Sequence, residues 1–200
     1  VPLIAADTDY IWAYWGNSGG ATQPAYTTNG ATWDANAVSV HHLAQRNGTT
    51  ASESTANGYT GTLVGTAAFV TGLIDNAVEF DGDSDYYNLP NISSRFPDNS
   101  ATFMTWVKLD RAVPGSPALG FVGLSYASDC LYPWTDALSY MNVWRNTRVD
   151  SIALRGDVNR EAWHLVTITS ETGGSGKWRM YQNGFLINEQ NAAAFNVTNN

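Results

Sequence analysis

The sequence predicts an all-β chain folded as an antiparallel β-sandwich. Three observations predict it. Apolar and polar residues alternate in short runs, most clearly where Phe103, Thr105, Val107 and Leu109 stand against Met104, Trp106 and Lys108. A period of two marks a strand with two unlike faces. The runs recur every 8–12 residues or roughly so, the spacing of sandwiches and barrels. No stretch carries a sustained helical period with caps, so long helices are not expected.

Composition agrees and excludes several classes. The 200 residues include 18 Gly, with many Thr, Asn and Ser, which serve turns and strands. Aromatic residues make up 12%, among them 8 Trp and 10 Tyr, and charged residues only 14%. A disordered chain has few aromatics and dense charge, the reverse of this. The net charge of −8 argues against a nucleic-acid partner, which needs clustered Lys and Arg. No apolar run approaches the ~20 residues that span a bilayer, so membrane insertion is not expected. Neither a composition break nor an internal repeat of 20–50 residues or so divides the chain.

The elements follow in order. Asp9 to Trp15 alternates Tyr10, Trp12 and Tyr14 with Ile11, Ala13 and Trp15, a strand apolar on both faces. Residues 16–37 read as loop, Val38 to Leu43 as a short strand, and residues 44–62 as a long polar surface loop. Ala77 to Phe80 is a strand, and the acidic turn Asp81-Gly82-Asp83-Ser84-Asp85 follows. Strands are expected at Tyr86 to Leu89, Ala101 to Leu109, Leu119 to Tyr126, Leu138 to Arg145 and Val149 to Leu154. Trp163 to Ser170 and Lys177 to Asn188 form a hairpin pair, and Asn183-Gly184 inside the second is a signal for a tight two-residue turn.

Cys130 is the sole cysteine, so no disulfide forms within the chain. Asn47-Gly48-Thr49, Asn91-Ile92-Ser93 and Asn196-Val197-Thr198 match the glycosylation acceptor pattern, which fits an extracellular location. A chain beginning at Val1 without Met is expected to be a processed product or a fragment.

Several ordered blocks resemble a known family. Gly72-Leu73-Ile74-Asp75-Asn76-Ala77-Val78-Glu79-Phe80-Asp81-Gly82-Asp83-Ser84-Asp85-Tyr86-Tyr87 resembles the G-A-φ-φ-F-D-G-x-x-D-Y segment of laminin-G-like, concanavalin A-like jelly-roll domains. Phe103-Met104-Thr105-Trp106-Val107-Lys108, Trp163-His164-Leu165-Val166-Thr167-Ile168-Thr169 and Lys177-Trp178-Arg179-Met180-Tyr181-Gln182-Asn183-Gly184 are similar to the strands that follow in them. The resemblance covers roughly residues 38–190 and implies a jelly roll over 38–200. Residues 1–37, with Tyr10 to Asn17 and Ala31-Thr32-Trp33-Asp34, resemble the tail of a small β-domain of unknown function (DUF2341) found before such domains in microbial surface proteins. His41-His42-Leu43 and Glu53-Ser54-Thr55-Ala56-Asn57-Gly58 resemble the junction between the two. Family members close with a G-x-I-D-E-V-R-φ-Y strand that this sequence lacks. The strand around Trp12, or a neighbouring chain, is expected to complete the sheet.

The chemistry is read as non-catalytic. Jelly-roll glycosidases carry E-x-D-x-(x)-E on one strand, because residues two apart point to one side. Glu79-Phe80-Asp81-Gly82-Asp83 lacks the second Glu. There is no G-x-S-x-G elbow, and His41-His42 are adjacent, so on a strand they face opposite ways. Asp81, Asp83 and Asp85 set three carboxylates around Gly82, a hard-oxygen set that suits a structural Ca²⁺. The simpler alternative is that Asp81 caps its own turn and the other two are solvated. The ligand-site candidate is Ser128 to Asp136, read as a loop between two strands. Asp129, Tyr132, Trp134 and Asp136 in it, with Asn142 and Trp144 on the next strand and Arg145 beside them, combine aromatic faces with hydroxyl-binding groups. Such a set suits a glycan or polysaccharide. The alternative places Trp144 in the core and Trp134 beneath its own loop. Trp106, Trp163 and Trp178 are expected in the core. The expected role is a carbohydrate-binding or adhesion module of an extracellular or cell-surface microbial protein. The rival is a structural protein that assembles with copies of itself in a filament, surface layer or particle.

Overall fold

The computed structural model describes residues 19, 22, 24–95, 100–108, 122–123, 129–134, 140–145, 147–153, 162–171 and 177–191. Among them every ladder is antiparallel, and the only helical pieces are two three-residue 3₁₀ turns. The strands are β1 (Thr50–Ala51), β2 (Gly61–Val64), β3 (Ala68–Thr71), β4 (Asn76–Glu79), β5 (Tyr86–Asn88), β6 (Ala101–Val107) and β7 (Val122–Gly123). Then come β8 (Asp129–Trp134), β9 (Tyr140–Arg145), β10 (Thr147–Ala153), β11 (His164–Glu171), β12 (Lys177–Gln182) and β13 (Phe185–Asn191). They form four sheets, in the orders β1-β2-β5, β3-β4, β10-β9-β8-β7 and β13-β12-β11-β6. No helix among the described residues is long and apolar enough to cross a membrane. The expected all-β, antiparallel class is the one observed.

The sheet β13-β12-β11-β6 shows why the period of two matters. Val166, Ile168, Trp178 and Met180 are buried on one face, and Met180 is completely covered. Register aligns Ile168 with Phe103 and Met180, and Ser170 with Ala101 and Trp178. Burying each large side chain contributes roughly 1.5–3 kcal/mol. The other face holds Met104 and Trp106, which are 67% and 48% exposed. Trp178 therefore lies in the core as expected, Trp163 is half-buried, and Trp106 does not join the core. The reason is parity: Phe103, Thr105 and Val107 take the inner positions of β6, which leaves Trp106 on the outer face. Further along that face Arg179 pairs with Glu171 and with Glu189, and Lys177 pairs with Glu189. These pairs are solvent-exposed and add little stability.

The hairpin between β12 and β13 turns at Asn183 and Gly184, both with positive φ (51° and 83°). That is the geometry whose twist matches a two-stranded ribbon, and Asn-Gly accommodates it with least strain. The Asn183 amide donates to the Leu165 carbonyl (2.8 Å), and the Leu165 amide donates to Asn183 Oδ1 (2.9 Å). The turn is thus tied to the start of β11.

Two further expectations are corrected. Val38 to Leu43 forms no strand: the Val40 carbonyl accepts a backbone bond from Ser54, and Leu43 has a positive φ of 56°. The polar stretch 44–62 contains β1 and the start of β2, and its polar side chains turn inward to backbone groups. Strands β2 and β3, over Gly61–Val64 and Ala68–Thr71, were not foreseen. The strand expected at Leu119 to Tyr126 is described only as Val122–Gly123. Residues 9–15, expected as a strand, lie outside the described residues.

Candidate ligand-binding face and its supports

The acidic turn is the first predicted site. Its carboxylates serve the backbone. Asp81 Oδ1 accepts from the amides of Asp83 (2.9 Å), Ser84 (3.2 Å) and Asp85 (3.3 Å). These donors, Asp83 foremost, hold the Asp81 carboxyl below its ordinary range. Asp85 Oδ2 accepts from the Asp81 amide (3.0 Å), and Asp85 Oδ1 from the Thr66 amide (2.6 Å). Asp83 is exposed. Among the described residues no three of His, Cys, Asp and Glu gather to hold a metal. Asp81 and Asp85 thus do turn-capping work in the structure. The same bonds bear on the glycosidase pattern. Glu79 is the last residue of β4, while Asp81 is already in the turn, so the two do not repeat along one strand.

A second cluster was not singled out from the sequence. Glu53 Oε1 accepts from the amides of Val40 (3.0 Å) and Thr55 (2.7 Å), and Oε2 from Gly58 (3.0 Å). Burial pushes its carboxyl up, but the Thr55, Val40 and Gly58 donors outweigh burial and hold it below the usual value. Asn57 Nδ2 donates to the carbonyls of Val38 (2.9 Å) and Ala37 (3.3 Å). Beside them His41 bridges two hydroxyls: Nε2 lies 2.8 Å from Ser39 Oγ and Nδ1 lies 2.7 Å from the Tyr87 hydroxyl. Burial lowers the His41 pKa and pushes the Tyr87 phenol up to about 12. These two bonds brace the 37–58 segment against β5. Tyr87 also fixes Gly61, where a Cβ would fall 2.1 Å from the phenol oxygen. The signal that marks this cluster is the junction motif itself, in which His41 and Glu53 to Gly58 are the quoted residues.

The stretch Ser128 to Asp136 was expected as a loop. Its described part, Asp129–Trp134, is strand β8, paired with β9 over six residues. The reason is the run Cys130, Tyr132, Trp134 alternating with Leu131 and Pro133, which fits a pleated ribbon better than a loop. Pro133 falls beyond the last β7 pair, Val122 with Leu131, so its missing N–H costs β7 nothing. Register sets Tyr132 opposite Asn142, Trp134 opposite Tyr140 and Cys130 opposite Trp144. Directly opposed residues share a face. One face of β8–β9 therefore carries Tyr132, Trp134, Tyr140, Asn142 and Trp144 together. On β10, Arg148 stands opposite Trp144 and Ser151 opposite Asn142, on that same face. The other face carries Val122, Leu131, Pro133, Met141, Val143 and Ile152, with Asp150 opposite Val143 and Asp129 opposite Arg145 at one end. Four of the six predicted ligand residues thus share a face. Asp129 and Arg145 belong to the opposite one, and Asp136 lies outside the described residues. Tyr140 was the residue the sequence reading missed; its two-residue step from Asn142 was the available signal.

Residues 81–200, more than half of the chain, match a family model of laminin-G type, described as the concanavalin A-like lectin/glucanases superfamily. Among solved structures, the chain is similar to residues 221–444 of an S-layer domain-containing protein from Clostridium thermocellum. Identity is 21%, over 80% of this chain and 75% of that one, with a TM-score of 0.46. No curated protein matches the sequence. The matched residues take in the acidic turn, the β8–β9 ribbon and the hairpin at Asn183-Gly184, and on that match the chain belongs to the concanavalin A-like lectin/glucanases superfamily, whose fold is the β-sandwich jelly roll.

Proposed function

We propose that this chain is a non-catalytic carbohydrate-binding module of an extracellular microbial protein, and that its ligand face is the aromatic side of β8–β9. The single observation that carries the proposal is the register. It aligns Tyr132, Trp134, Asn142 and Trp144 with Tyr140 on one face and leaves the aliphatic residues to the other. A sandwich needs one apolar face per sheet for its core. The aliphatic side of β8–β9 has that composition, and the aromatic side is the one we assign to the ligand. Flat aromatic rings match the apolar face of a pyranose, and the Asn142 amide both donates to and accepts from hydroxyls. Cys130 and Trp134 are four residues apart, so the aromatic positions spread over about 13 Å along the strand. That span suits an oligosaccharide stretch better than one sugar. Membership of a superfamily that holds both lectins and glucanases supports the reading without choosing between them. The calcium expectation adds no ligand step, since Asp81 and Asp85 are engaged by backbone amides.

A glycan array tests the proposal. Binding to at least one immobilised glycan that is lost in Trp134→Ala, with the melting temperature kept, is the expected result. No binding to any glycan overturns it.

A second reading has its own observation. Met104, Trp106 and Leu186 are 67%, 48% and 52% exposed, and register sets them on one face of the sheet β13-β12-β11-β6. Such a grouping fits packing against copies of the same chain, as in an assembling surface protein. Sedimentation at micromolar concentration separates the readings: concentration-dependent association weakened by Trp106→Ser favours assembly, and a monomer throughout removes it.

A further inference from the structure

We propose that Asn47-Gly48 is a self-modification site, where the Asn47 amide is lost and a carboxylate or isoaspartate takes its place. The sequence holds four Asn-Gly steps: Asn29-Gly30, Asn47-Gly48, Asn57-Gly58 and Asn183-Gly184. The reaction is the same at each. The glycine amide gives up its proton to base, and its nitrogen attacks the asparagine Cγ. The side-chain nitrogen leaves as ammonia, and a five-membered succinimide forms. Water then opens the ring at either carbonyl, giving aspartate or isoaspartate. Water is the sole co-reactant. What the fold decides is whether the side chain and the next peptide are free to meet.

Three of the four steps are held. Asn29 Oδ1 accepts from the Ala31 amide (3.0 Å), and Gly30 is buried so tightly that a Cβ there would lie 2.3 Å from the Ala56 nitrogen. Asn57 Nδ2 is bonded to the Val38 and Ala37 carbonyls and to Thr55 Oγ1, and the attacking Gly58 amide donates to Glu53 Oε2 (3.0 Å). Asn183 has its amide on the Leu165 carbonyl and its Oδ1 on the Leu165 amide, inside the hairpin turn. Each must break these bonds before it reacts, and each bond lost raises the barrier. Asn47 differs. It is exposed, it makes no hydrogen bond among the described residues, and nothing comes within 4 Å of a Cβ placed on Gly48. It sits on the bend ahead of β1, where residues 46–49 are all exposed. The modification therefore adds one negative charge to a chain that already carries −8, and leaves the sheets intact.

The test is incubation of the full chain in alkaline buffer, with peptide mapping by mass spectrometry and isoaspartate detection. Asn47 is expected to convert ahead of the other three by a factor on the order of ten or more, and Gly48→Ala to remove that lead. In denaturant the four rates are expected to converge. Conversion of Asn29, Asn57 or Asn183 as fast as Asn47 in the folded chain overturns the proposal. So does a lead that survives Gly48→Ala or that persists in denaturant, since the cause would then not be the fold.

Discussion

His41 and Glu53 are the residues on which the 37–58 segment depends. Glu53 accepts three backbone amides, a task that a strand ladder performs elsewhere. Glu53→Ala leaves those donors without an acceptor and is expected to cost on the order of 2 kcal/mol, read as a lower urea midpoint. An unchanged midpoint would show that solvent replaces the carboxylate at no cost. Both groups make the chain acid-sensitive. His41 has its folded pKa below 6.5 because burial disfavours the cation, so the unfolded chain binds the proton more readily. Its contribution is present above about pH 6.5, where both states are neutral, and falls away as pH drops toward the lower folded value. Glu53 is also depressed, so its contribution is present above 4.5, its unfolded value, and is lost as pH falls through the folded one. The melting temperature is therefore expected to fall in two stages on acidification, and His41→Gln to remove the first. A curve with the same first stage in His41→Gln would assign that stage elsewhere. Neither residue was legible as a brace from the sequence. Their distant partners, Val40 for Glu53 and Tyr87 for His41, lie 13 and 46 positions away in the chain, and polar residues between turn signals read as solvated loop until those partners are known.

Elements with long alternation were legible, as were the short β4 and β5, whereas β1, β2 and β3 were not. β6, β11 and β12 each run six to eight residues with an inner apolar set, and the sequence located all three. Met180, at the centre of that inner set and fully covered, is the position where truncation should cost most. Met180→Ala is expected to lose about 2–5 kcal/mol, and Met104→Ala on the outer face much less. Equal losses would contradict the assigned parity. Trp106 shows the limit of residue type as a guide: a tryptophan in a strong strand was expected inside, and its even position puts it outside. β8 shows the reverse. A Pro and two carboxylates within Ser128 to Asp136 read as loop, yet Cys130, Tyr132 and Trp134 carry the strand period. In the acidic turn, D-G-D-S-D was read both as a cation site and as a self-capped turn, and the amide bonds to Asp81 favour the latter. Added Ca²⁺ is accordingly expected to leave the melting temperature where a chelator leaves it. A rise that chelation reverses would mean the carboxylates gather around the ion after all.

At the scale of the whole molecule, the aromatic-rich, charge-poor composition has two outlets. One is the core, where Trp178 and Met180 are covered. The other is a face of the β10-β9-β8-β7 sheet, where Tyr132, Trp134, Tyr140, Asn142 and Trp144 share register. The fold class was legible because it rests on periodicity and ordered motifs spread over most of the chain, and the matched family bears it out. The ligand face was legible in part. The aromatic residues were named, but the sequence alone does not state which strand opposes which, and register is what groups Tyr140 with them and sends Asp129 to the other side. The most direct test compares the two faces of one ribbon. Tyr132→Ala and Trp144→Ala are each expected to weaken binding to the glycan found on the array by about 2 kcal/mol, roughly thirtyfold, with little change in melting temperature. Leu131→Ala and Val143→Ala are expected to lower the melting temperature and leave the affinity of the folded molecule unchanged. Glycan binding that is lost from the aliphatic face and retained with the aromatic face truncated would contradict the account.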